Sequence, residues 1–509
     1  MVKSAAGAFI QAVQDDGADG APQWARVYRT VRRAIDAGAL GVGTRLPSAR
    51  QLAGEWRVSR GAVDEAFAHL QLEGLIERRV GDGTYVAQAA QRPATALRRE
   101  PTVTAQHVLR QQRAIRVPPS RIESAARSVR PPPLHPRAMP LDGFPLPLWR
   151  RLSMQAFDDS RRGLLGGGAP SGLPALREAI ARHLALARGI SCDPAQVLVI
   201  GSPREGVTSL ARQWLAAGDM AAVEDPGHPS LPQLLRMLGA NVVGVPLDAE
   251  GFDVGHLQRH ADHARLVYLH PLAQYPLGQR TALARGDALL AWAAQRETHI
   301  IEGHYNDEWV APGQQLPTLF SRDRAERVLL LGTFEGVMFP SLRVGYLVLP
   351  PSRAAAIIAA HDKRGERVPL ATQWALAQFI DSGALSEHLR RTRDALQQRR
   401  ALVAQVLREA LPNGVRPGPL ETGAQVCLHL PPTLPDIVAI EALRQRRIAA
   451  EPMSPMAWQS GIVNGLVLGY MGWSAATVTD TMHTVCAVLA DLLATPLATL
   501  AAAPTRVPG

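Results

Sequence analysis

The sequence predicts an α/β protein that has a small N-terminal helical domain and a much larger three-layer domain. Residues 21–90 show helical periodicity and end in a strand–turn–strand pattern. Between residues 139 and 495, short apolar strands alternate with helical stretches, which is typical of a mainly parallel sheet covered on both faces. We count seven such strands, at 196–200, 220–224, 241–246, 265–270, 299–303, 327–331 and 344–349. After Pro351 the pattern turns helical and then mixed, which predicts a smaller C-terminal α+β lobe.

The remaining segments have the composition of tails and a linker. We expect residues 1–20 and 496–509 to be disordered tails and residues 91–138 to be a basic linker. Ten arginines and two glutamates fall between positions 91 and 137, a charge that favours phosphate partners. The alternative is a solvated tether that never touches DNA.

Composition excludes several classes of protein. The three cysteines are scattered and offer neither a disulfide framework nor a zinc spacing. No apolar run is long enough to cross a bilayer, and the N-terminus is a poor secretion signal. We therefore expect a cytoplasmic protein with no membrane partner.

Two consecutive helices carry the pattern of the small domain. Ser48 precedes the first helix and forms a predicted capping box with Gln51, and Ser59 caps a second helix over 60–73 that ends before Gly74. Such a short connection predicts a helix-turn-helix, whose second helix enters the major groove of DNA. Strands at 75–80 and 84–87, joined by a tight turn at 81–83, form the wing.

These segments resemble the GntR class of bacterial regulators, through GTRLPSARQLA at 43–53, VSRGAV at 58–63, AFAHLQLEGLI at 66–76 and GDGTYV at 81–86. The resemblance implies double-stranded DNA as partner. It implies DNA contacts from Arg50, Arg60 and Gly61, support from Arg45, Ser48 and Ser59, and a wing position for Gly83. Independently, Arg60 is a cation at a helix N-terminus, where the helix dipole does not favour it. The alternatives are a solvated surface arginine and a winged helix that binds protein.

The large domain resembles the aminotransferase-like domain of pyridoxal-phosphate enzymes of fold type I. The resemblance rests on VEDPGHP at 223–229, QYPLG at 274–278, IIEGHYNDEW at 300–309 and LGTFEGVMFPSLRVGYLVLP at 331–350. A GntR-type head before such a body is the order found in the MocR subfamily of regulators. The resemblance implies a swapped homodimer and a small-molecule effector that binds between the lobes.

Several positions depart from the family pattern in ways that matter chemically. Gly336 stands where the family carries the lysine that holds the cofactor as a Schiff base, and the chain has only two lysines, Lys3 and Lys363. Gly303 replaces the aspartate that partners the ring nitrogen. The segment at 201–204 reads Gly-Ser-Pro-Arg instead of Gly-Ser-Gln-Gln, and we find no arginine between 451 and 486 for a substrate carboxylate. We therefore predict no covalently bound cofactor and no catalysis.

Three residues remain as candidates for effector binding. Tyr305 and Arg343 match the tyrosine and arginine that contact the cofactor's ring oxygen and phosphate, and Tyr275 lies near them. The alternatives are that Arg343 pairs locally and that Tyr305 is a packed core aromatic. Non-covalent pyridoxal phosphate and, less favoured, an aminotransferase with a DNA-binding head stay open.

Metal binding is not predicted. The acidic and histidine side chains at 302, 304, 307 and 308 are expected to be split between two faces by strand alternation.

Overall fold

The computed structural model of the chain describes residues 22–79, 82–87, 131–305, 307–310, 316–459, 461 and 463–495. The chain divides into two compact units, residues 1–121 and 122–509. The predicted tails at 1–20 and 496–509, and the linker from 91 to 130, lie outside the described residues.

The N-terminal unit has the predicted winged helix-turn-helix elements. Its helices are α1 (Gln23–Asp36), α2 (Ala49–Trp56) and α3 (Arg60–Leu72), and its strands are β1 (Arg45–Leu46), β2 (Ile76–Arg79) and β3 (Gly83–Val86). The strands form an antiparallel sheet in the order β1-β3-β2. One apolar core joins the elements, and Val31, Leu52, Val63, Phe67 and Leu70 are buried in it. Gly81, predicted in the wing turn, lies outside the described residues.

Serine caps fix where the two central helices begin. The Ser48 hydroxyl accepts a hydrogen bond from the Gln51 amide, and the Ser59 hydroxyl accepts one from the Ala62 amide. The predicted capping box is only half formed, because the Gln51 side chain donates to Glu55 one turn ahead. Arg57 ends α2 in the left-handed region, with φ of 50°.

All seven predicted strands of the large unit are present, each within two residues of its predicted ends. They are β4 (Val197–Ile200), β5 (Met220–Glu224), β6 (Asn241–Val245), β9 (Leu266–Leu269), β10 (His299–His304), β11 (Val328–Thr333) and β12 (Gly345–Val348). Strands β7 (Leu247–Asp248) and β8 (Gly251–Phe252) form a separate hairpin. The order is β4-β12-β11-β10-β9-β5-β6, and only β12 runs antiparallel to its neighbours.

Helices cover both faces of this sheet. They are α4 (Leu146–Gln155), α5 (Pro174–Arg188), α6 (Pro203–Trp214), α7 (Ser230–Met237), α8 (Val254–His260), α9 (Leu283–Arg296), α10 (Leu319–Arg322), α11 (Pro351–Asp362), α12 (Leu370–Asp381) and α13 (Ala384–Ala410). Along β4, Val197 and Val199 join one buried cluster while Leu198 and Ile200 join another. This two-sided burial explains why the strands appear as continuous apolar runs.

The smaller C-terminal lobe carries an antiparallel sheet. Its strands β13 (Arg416–Pro417), β14 (Gln425–His429), β15 (Glu451–Pro452) and β16 (Gly465–Gly469) follow the order β13-β14-β16-β15. Helices α14 (Asp436–Gln445) and α15 (Ala475–Ala494) complete it. Across the described residues, no helix combines the length and the apolar character needed to span a lipid bilayer.

The body begins earlier than predicted. Residues 131–138, assigned to the linker from composition, pack against the C-terminal lobe. The carbonyl oxygens of Pro133 and Leu134 accept hydrogen bonds of 2.8 Å from the amides of Ala449 and Gly469. Leu134 is fully buried, with φ of 63°. A segment rich in proline and arginine has the composition of a flexible linker. Here, one buried leucine and two backbone hydrogen bonds hold residues 131–138 against the lobe.

Candidate functional site

The predicted DNA contacts cluster at the starts of two helices. Ser48 and Arg50 lie at the start of α2, and Ser59, Arg60 and Gly61 at the start of α3. The Arg60 side chain is 73% exposed, and its Nε lies 3.6 Å from Asp64 Oδ2. An exposed pair of this kind holds an arginine weakly, so Arg60 is available to a partner.

Gly61 and Gly83 are glycines for different reasons. A Cβ on Gly61 would meet nothing within 4 Å, although glycine costs a helix about 1 kcal/mol relative to alanine. The fold therefore does not require glycine at position 61. A partner that approaches the helix closely would require it, because a side chain there would stand in its way. Gly83 has φ of 125°, and a Cβ there would lie 2.9 Å from the Nε of Arg45, so the wing itself requires this glycine.

In the large unit, Gly336 faces the Tyr305 side chain. A Cβ on Gly336 would lie 2.9 Å from the Tyr305 carbonyl oxygen and 3.6 Å from its ring Cζ. No amine is nearby, since Lys363, the one lysine among the described residues, is exposed at the end of α11. Among the described residues, therefore, no lysine side chain lies beside Tyr305.

The space beside Gly303 is already filled. A Cβ there would lie 2.7 Å from His270 Nε2 and 2.8 Å from the Tyr268 hydroxyl. His270 Nδ1 lies 3.2 Å from Glu224 Oε2, and its Nε2 lies 3.1 Å from the Tyr268 hydroxyl. The neighbouring Glu302 carboxylate accepts amide hydrogen bonds at the start of α10 instead. A carboxylate at position 303 would have to displace this hydrogen-bonded chain.

Arg343 lies among carboxylates of its own chain. Its side chain is 64% exposed, and its Nε lies 3.7 Å from Glu335 Oε1. Glu205 folds back from α6 so that its Oε2 accepts a 2.8 Å hydrogen bond from the Gly201 amide. Burial raises the pKa of Glu205 and of Glu335, and Arg343 opposes both shifts.

These residues do not fit pyridoxal phosphate. The Schiff-base amine is missing at Gly336, and the ring-nitrogen position holds His270 and Tyr268 instead of a carboxylate. At the phosphate end, the Glu335 carboxylate adjoins the arginine that the resemblance assigns to the phosphate, and the Glu205 carboxylate takes the Gly201 amide. The local-pairing alternative for Arg343 is the one that the geometry favours, because its partner Glu335 is only 14% exposed, whereas Asp64, the partner of Arg60, is 47% exposed.

Tyr275 contacts a charged pair that the sequence analysis missed. Its hydroxyl donates to Glu451 Oε2, while Arg137 donates to Glu451 Oε1 over 3.2 Å. The ring of His228 lies 6.0 Å from the Tyr275 ring, and burial, with Arg137 adding to it, lowers the pKa of His228 to about 4. Because Arg137 and Glu451 are 314 positions apart, no local pattern could have shown the pair.

Tyr305 is 39% exposed, so its interpretation as a packed core aromatic is wrong. It interacts electrostatically with Arg137 and Glu451 and also with Glu335, the partner of Arg343. Tyr275 and Tyr305 thus share the Arg137–Glu451 pair as neighbours, and Tyr305 and Arg343 share Glu335. We call the surroundings of Tyr275, Tyr305 and Arg343 the niche.

The acidic segment after β10 forms one ionic network. His304 Nδ1 lies 2.7 Å from Asp307 Oδ2 and its Nε2 lies 3.2 Å from Glu302 Oε1, while Arg188 reaches Asp307 at 3.3 Å and Glu308 at 3.6 Å. Burial alone would lower the pKa of His304, but the two carboxylates raise it to about 9. The expectation that the side chains at 302, 304, 307 and 308 are split between two faces is wrong. Residues 307 and 308 lie beside His304 after the strand ends, and Arg188 supplies a positive charge to the network.

A second cluster has metal-like spacing. Single ligand atoms of Glu205, His361 and Glu366 lie within 4.8 Å of one another. The Arg364 guanidinium lies 3.0 Å from His361 Nδ1 and 3.5 Å from a Glu366 oxygen. Because this guanidinium already faces the histidine nitrogen and one carboxylate, the geometry favours an ionic contact over a metal site.

Solved aminotransferase structures share the fold of the large unit. A kynurenine aminotransferase of Pyrococcus horikoshii superposes with a TM-score of 0.67 at 20% identity, covering 79% of this chain and 99% of that chain. LysN, an α-aminoadipate aminotransferase of Thermus thermophilus, gives a TM-score of 0.67 at 23% identity, covering 75% and 97%. At such identities the likeness concerns the fold alone.

Two families match the two units. Residues 23–86 match the bacterial regulatory proteins of the gntR family, and residues 141–461 match aminotransferase class I and II. The chain is 30% identical over 474 residues to the probable rhizopine catabolism regulatory protein MocR of Rhizobium meliloti, covering 92% of this chain and 94% of the relative. It is 30% identical over 465 residues to the pyridoxine biosynthesis transcriptional regulator PdxR of Corynebacterium glutamicum, covering 88% and 94%. The chain therefore belongs to the MocR subfamily of GntR-type transcription regulators, in which a winged helix-turn-helix precedes an aminotransferase-like domain.

Proposed function

We propose that this chain is a sequence-specific DNA-binding regulator whose aminotransferase-like body forms no Schiff base, catalyses no transamination and binds a small effector in the niche. The observation that carries the proposal is Gly336 beside Tyr305, with no lysine amine within reach among the described residues. Transamination requires an amine that holds the aldehyde and later moves protons. Neither function is available to a glycine.

The occupied space at Gly303 supports the same proposal. A protonated ring nitrogen makes the cofactor an electron sink, and this chain offers a histidine and a tyrosine at that position. Losing both the amine and the carboxylate removes interactions that matter in the transition state. The resemblance implies that family members with the intact pattern present both groups, the lysine amine and the carboxylate, to pyridoxal phosphate.

Dimerisation is part of the proposal. Five large apolar side chains between positions 141 and 165 are each more than half exposed, namely Leu141, Leu146, Met154, Phe157 and Leu165. Apolar surface concentrated in one stretch is typical of an interface. A homodimer would present two winged helices to paired DNA half-sites, and a ligand would act by favouring one arrangement of the dimer.

A reduction experiment tests the loss of Schiff-base chemistry. Purified protein is incubated with pyridoxal phosphate, treated with borohydride and analysed by intact mass. We expect no near-ultraviolet absorbance of an internal aldimine and, when any adduct is located by peptide mapping, no cofactor mass on a residue of the niche. A covalent adduct at any residue of the niche, or measurable transamination of common amino acids, would contradict the proposal.

Restoring one group is expected to be insufficient. Gly336→Lys supplies an amine, but its Cβ would press on the Tyr305 carbonyl oxygen at 2.9 Å and the ring-nitrogen partner would still be missing. We therefore expect no turnover from this variant. Footprinting on the gene's own upstream region, with and without amino acids and vitamin B6 compounds, tests DNA binding and effector response separately.

A further inference from the structure

The polar groups at the start of α6 form hydrogen bonds within the chain itself. The Gly201 amide donates to Glu205 Oε2, and the Glu205 amide donates to the Ser202 hydroxyl. Pro203 has no amide hydrogen to offer. A helix N-terminus normally offers such donors to an anionic ligand, and here a carboxylate four residues ahead takes one of them.

Glu205 is also held from its other side. Its Oε1 lies 3.8 Å from His361 Nε2, and Arg364 donates to His361 Nδ1 over 3.0 Å. A Cβ on Gly201 would lie 2.7 Å from Glu205 Oε2 and 3.9 Å from the Arg343 carbonyl oxygen, which places the carboxylate next to the segment that carries Arg343. The contacts fix the carboxylate against the Gly201 amide, just before the start of α6.

Glu335 brings a second carboxylate to the same arginine. Its Oε1 lies 3.7 Å from Arg343 Nε and is buried without a hydrogen-bond donor among the described residues. Glu335 thus lies against the Arg343 guanidinium, while Glu205 lies beside the backbone of the same segment, and both carboxylates are partly buried. A phosphate dianion placed there would be repelled by both carboxylates.

We propose that Glu205 and Glu335 are specificity-determining residues that close the phosphate end of the niche, with Glu205 as an internal substitute for the phosphate group. Arg343 then serves as the counter-ion of Glu335 and does not bind ligand phosphate. The effector of this regulator is accordingly a non-phosphorylated molecule. The inference deepens the proposed effector function and rests on it.

Phosphorylated and unphosphorylated vitamin B6 alcohols provide the test. Pyridoxine 5′-phosphate and pyridoxine lack an aldehyde, so their binding is independent of the Schiff-base question. Calorimetric titration of the full chain is expected to show no preference for the phosphorylated probe. In Glu205→Ala/Glu335→Ser, the affinity for pyridoxine 5′-phosphate should rise at least about tenfold while that for pyridoxine stays unchanged, because only the phosphate meets the removed charges. Adding Arg343→Gln to this variant should abolish the gain.

The matched control, Glu250→Gln/Glu409→Gln, removes two exposed carboxylates elsewhere and should leave both affinities unchanged. The isosteric variant Glu205→Gln/Glu335→Gln, checked by its thermal unfolding, replaces the first variant if that one does not fold. A wild-type preference for the phosphorylated probe, or no gain in either folded double variant, would overturn the inference. Operator binding by the same preparations shows that the regulator itself is intact.

Discussion

At the residue scale, glycines carry much of the functional information in this chain. Gly83 serves the wing, Gly61 serves no contact within the fold, and Gly303 and Gly336 stand where the family resemblance places a carboxylate and an amine. All four glycines could be singled out from the sequence, because each falls within a recognisable motif. It could not predict that His270 fills the space beside Gly303, since that depends on a neighbouring strand.

Arg60→Ala is expected to weaken specific operator binding by about 1–3 kcal/mol, because the side chain loses its contact in the groove. Fluorescence anisotropy on operator and on unrelated DNA measures the difference. Arg29→Ala, an exposed arginine on α1, is the matched control and should have a smaller effect. Equal operator affinity for wild type and Arg60→Ala would argue against α3 as the recognition helix.

Gly61→Ala separates stability from function. The added methyl group meets nothing within 4 Å, and alanine favours a helix, so the N-terminal unit should become more stable by up to about 1 kcal/mol. DNA affinity should fall at the same time, because the methyl group occupies space needed by the partner. Urea unfolding and anisotropy measure the two effects, and unchanged affinity would show that Gly61 makes no close approach.

At the scale of elements, the sequence was most informative where burial is two-sided. The seven strands of the large sheet are mostly apolar and mostly buried, which makes them visible without any alignment. Residues 131–138 were mistaken for linker because one buried leucine among prolines leaves no periodicity. The hydrogen bond between the Glu205 carboxylate and the Gly201 amide could not be predicted either, since a glutamate in the first turn of a helix usually faces solvent.

The network after β10 predicts a pH dependence of stability. The pKa of His304 is raised from 6.5 to about 9, so its contribution is complete below pH 6.5 and is lost as the pH rises through about 9. The pKa of Asp307 is lowered from 3.8 to about 2, despite burial, by His304 and Arg188, so its contribution is lost as the pH falls through about 2. The free energy of unfolding should therefore decline between about pH 6.5 and pH 9.

His304→Gln tests this assignment. Removing the buried cation should cost about 3–5 kcal/mol at pH 7, because Asp307 and Glu302 lose their partner. The variant should also lose much of the decline above pH 8. His483→Gln, an exposed histidine on α15, should match wild type at every pH. A full alkaline decline in His304→Gln would assign the effect to other groups.

At the scale of the whole molecule, the chain joins a compact DNA-binding unit to a body with the aminotransferase fold. The order of the two units and the fold class could be predicted from sequence because both carry extended motifs. The pairing of Arg137 with Glu451 could not, since it joins the first segment of the body to its last lobe.

Substituting the exposed apolar stretch should weaken the proposed homodimer. Met154→Glu/Phe157→Glu places two charges in that surface and is expected to shift the protein towards monomer in sedimentation velocity at micromolar concentration. Leu186→Glu, an equally exposed but isolated apolar side chain on α5, is the control and should not change the sedimentation. An unchanged sedimentation coefficient for the double variant would place the interface elsewhere.

The anchoring of residues 131–138 has a practical consequence for hybrid regulators made by exchanging heads between relatives. A junction placed at residue 139 would separate the anchored octapeptide from the domain whose backbone holds it, and would replace Arg137 opposite Glu451. A junction upstream of Pro131 keeps residues 131–138 with the domain that they contact. Hybrids cut at the earlier point should therefore inherit the small-molecule response of the body donor, together with the operator preference of the head donor.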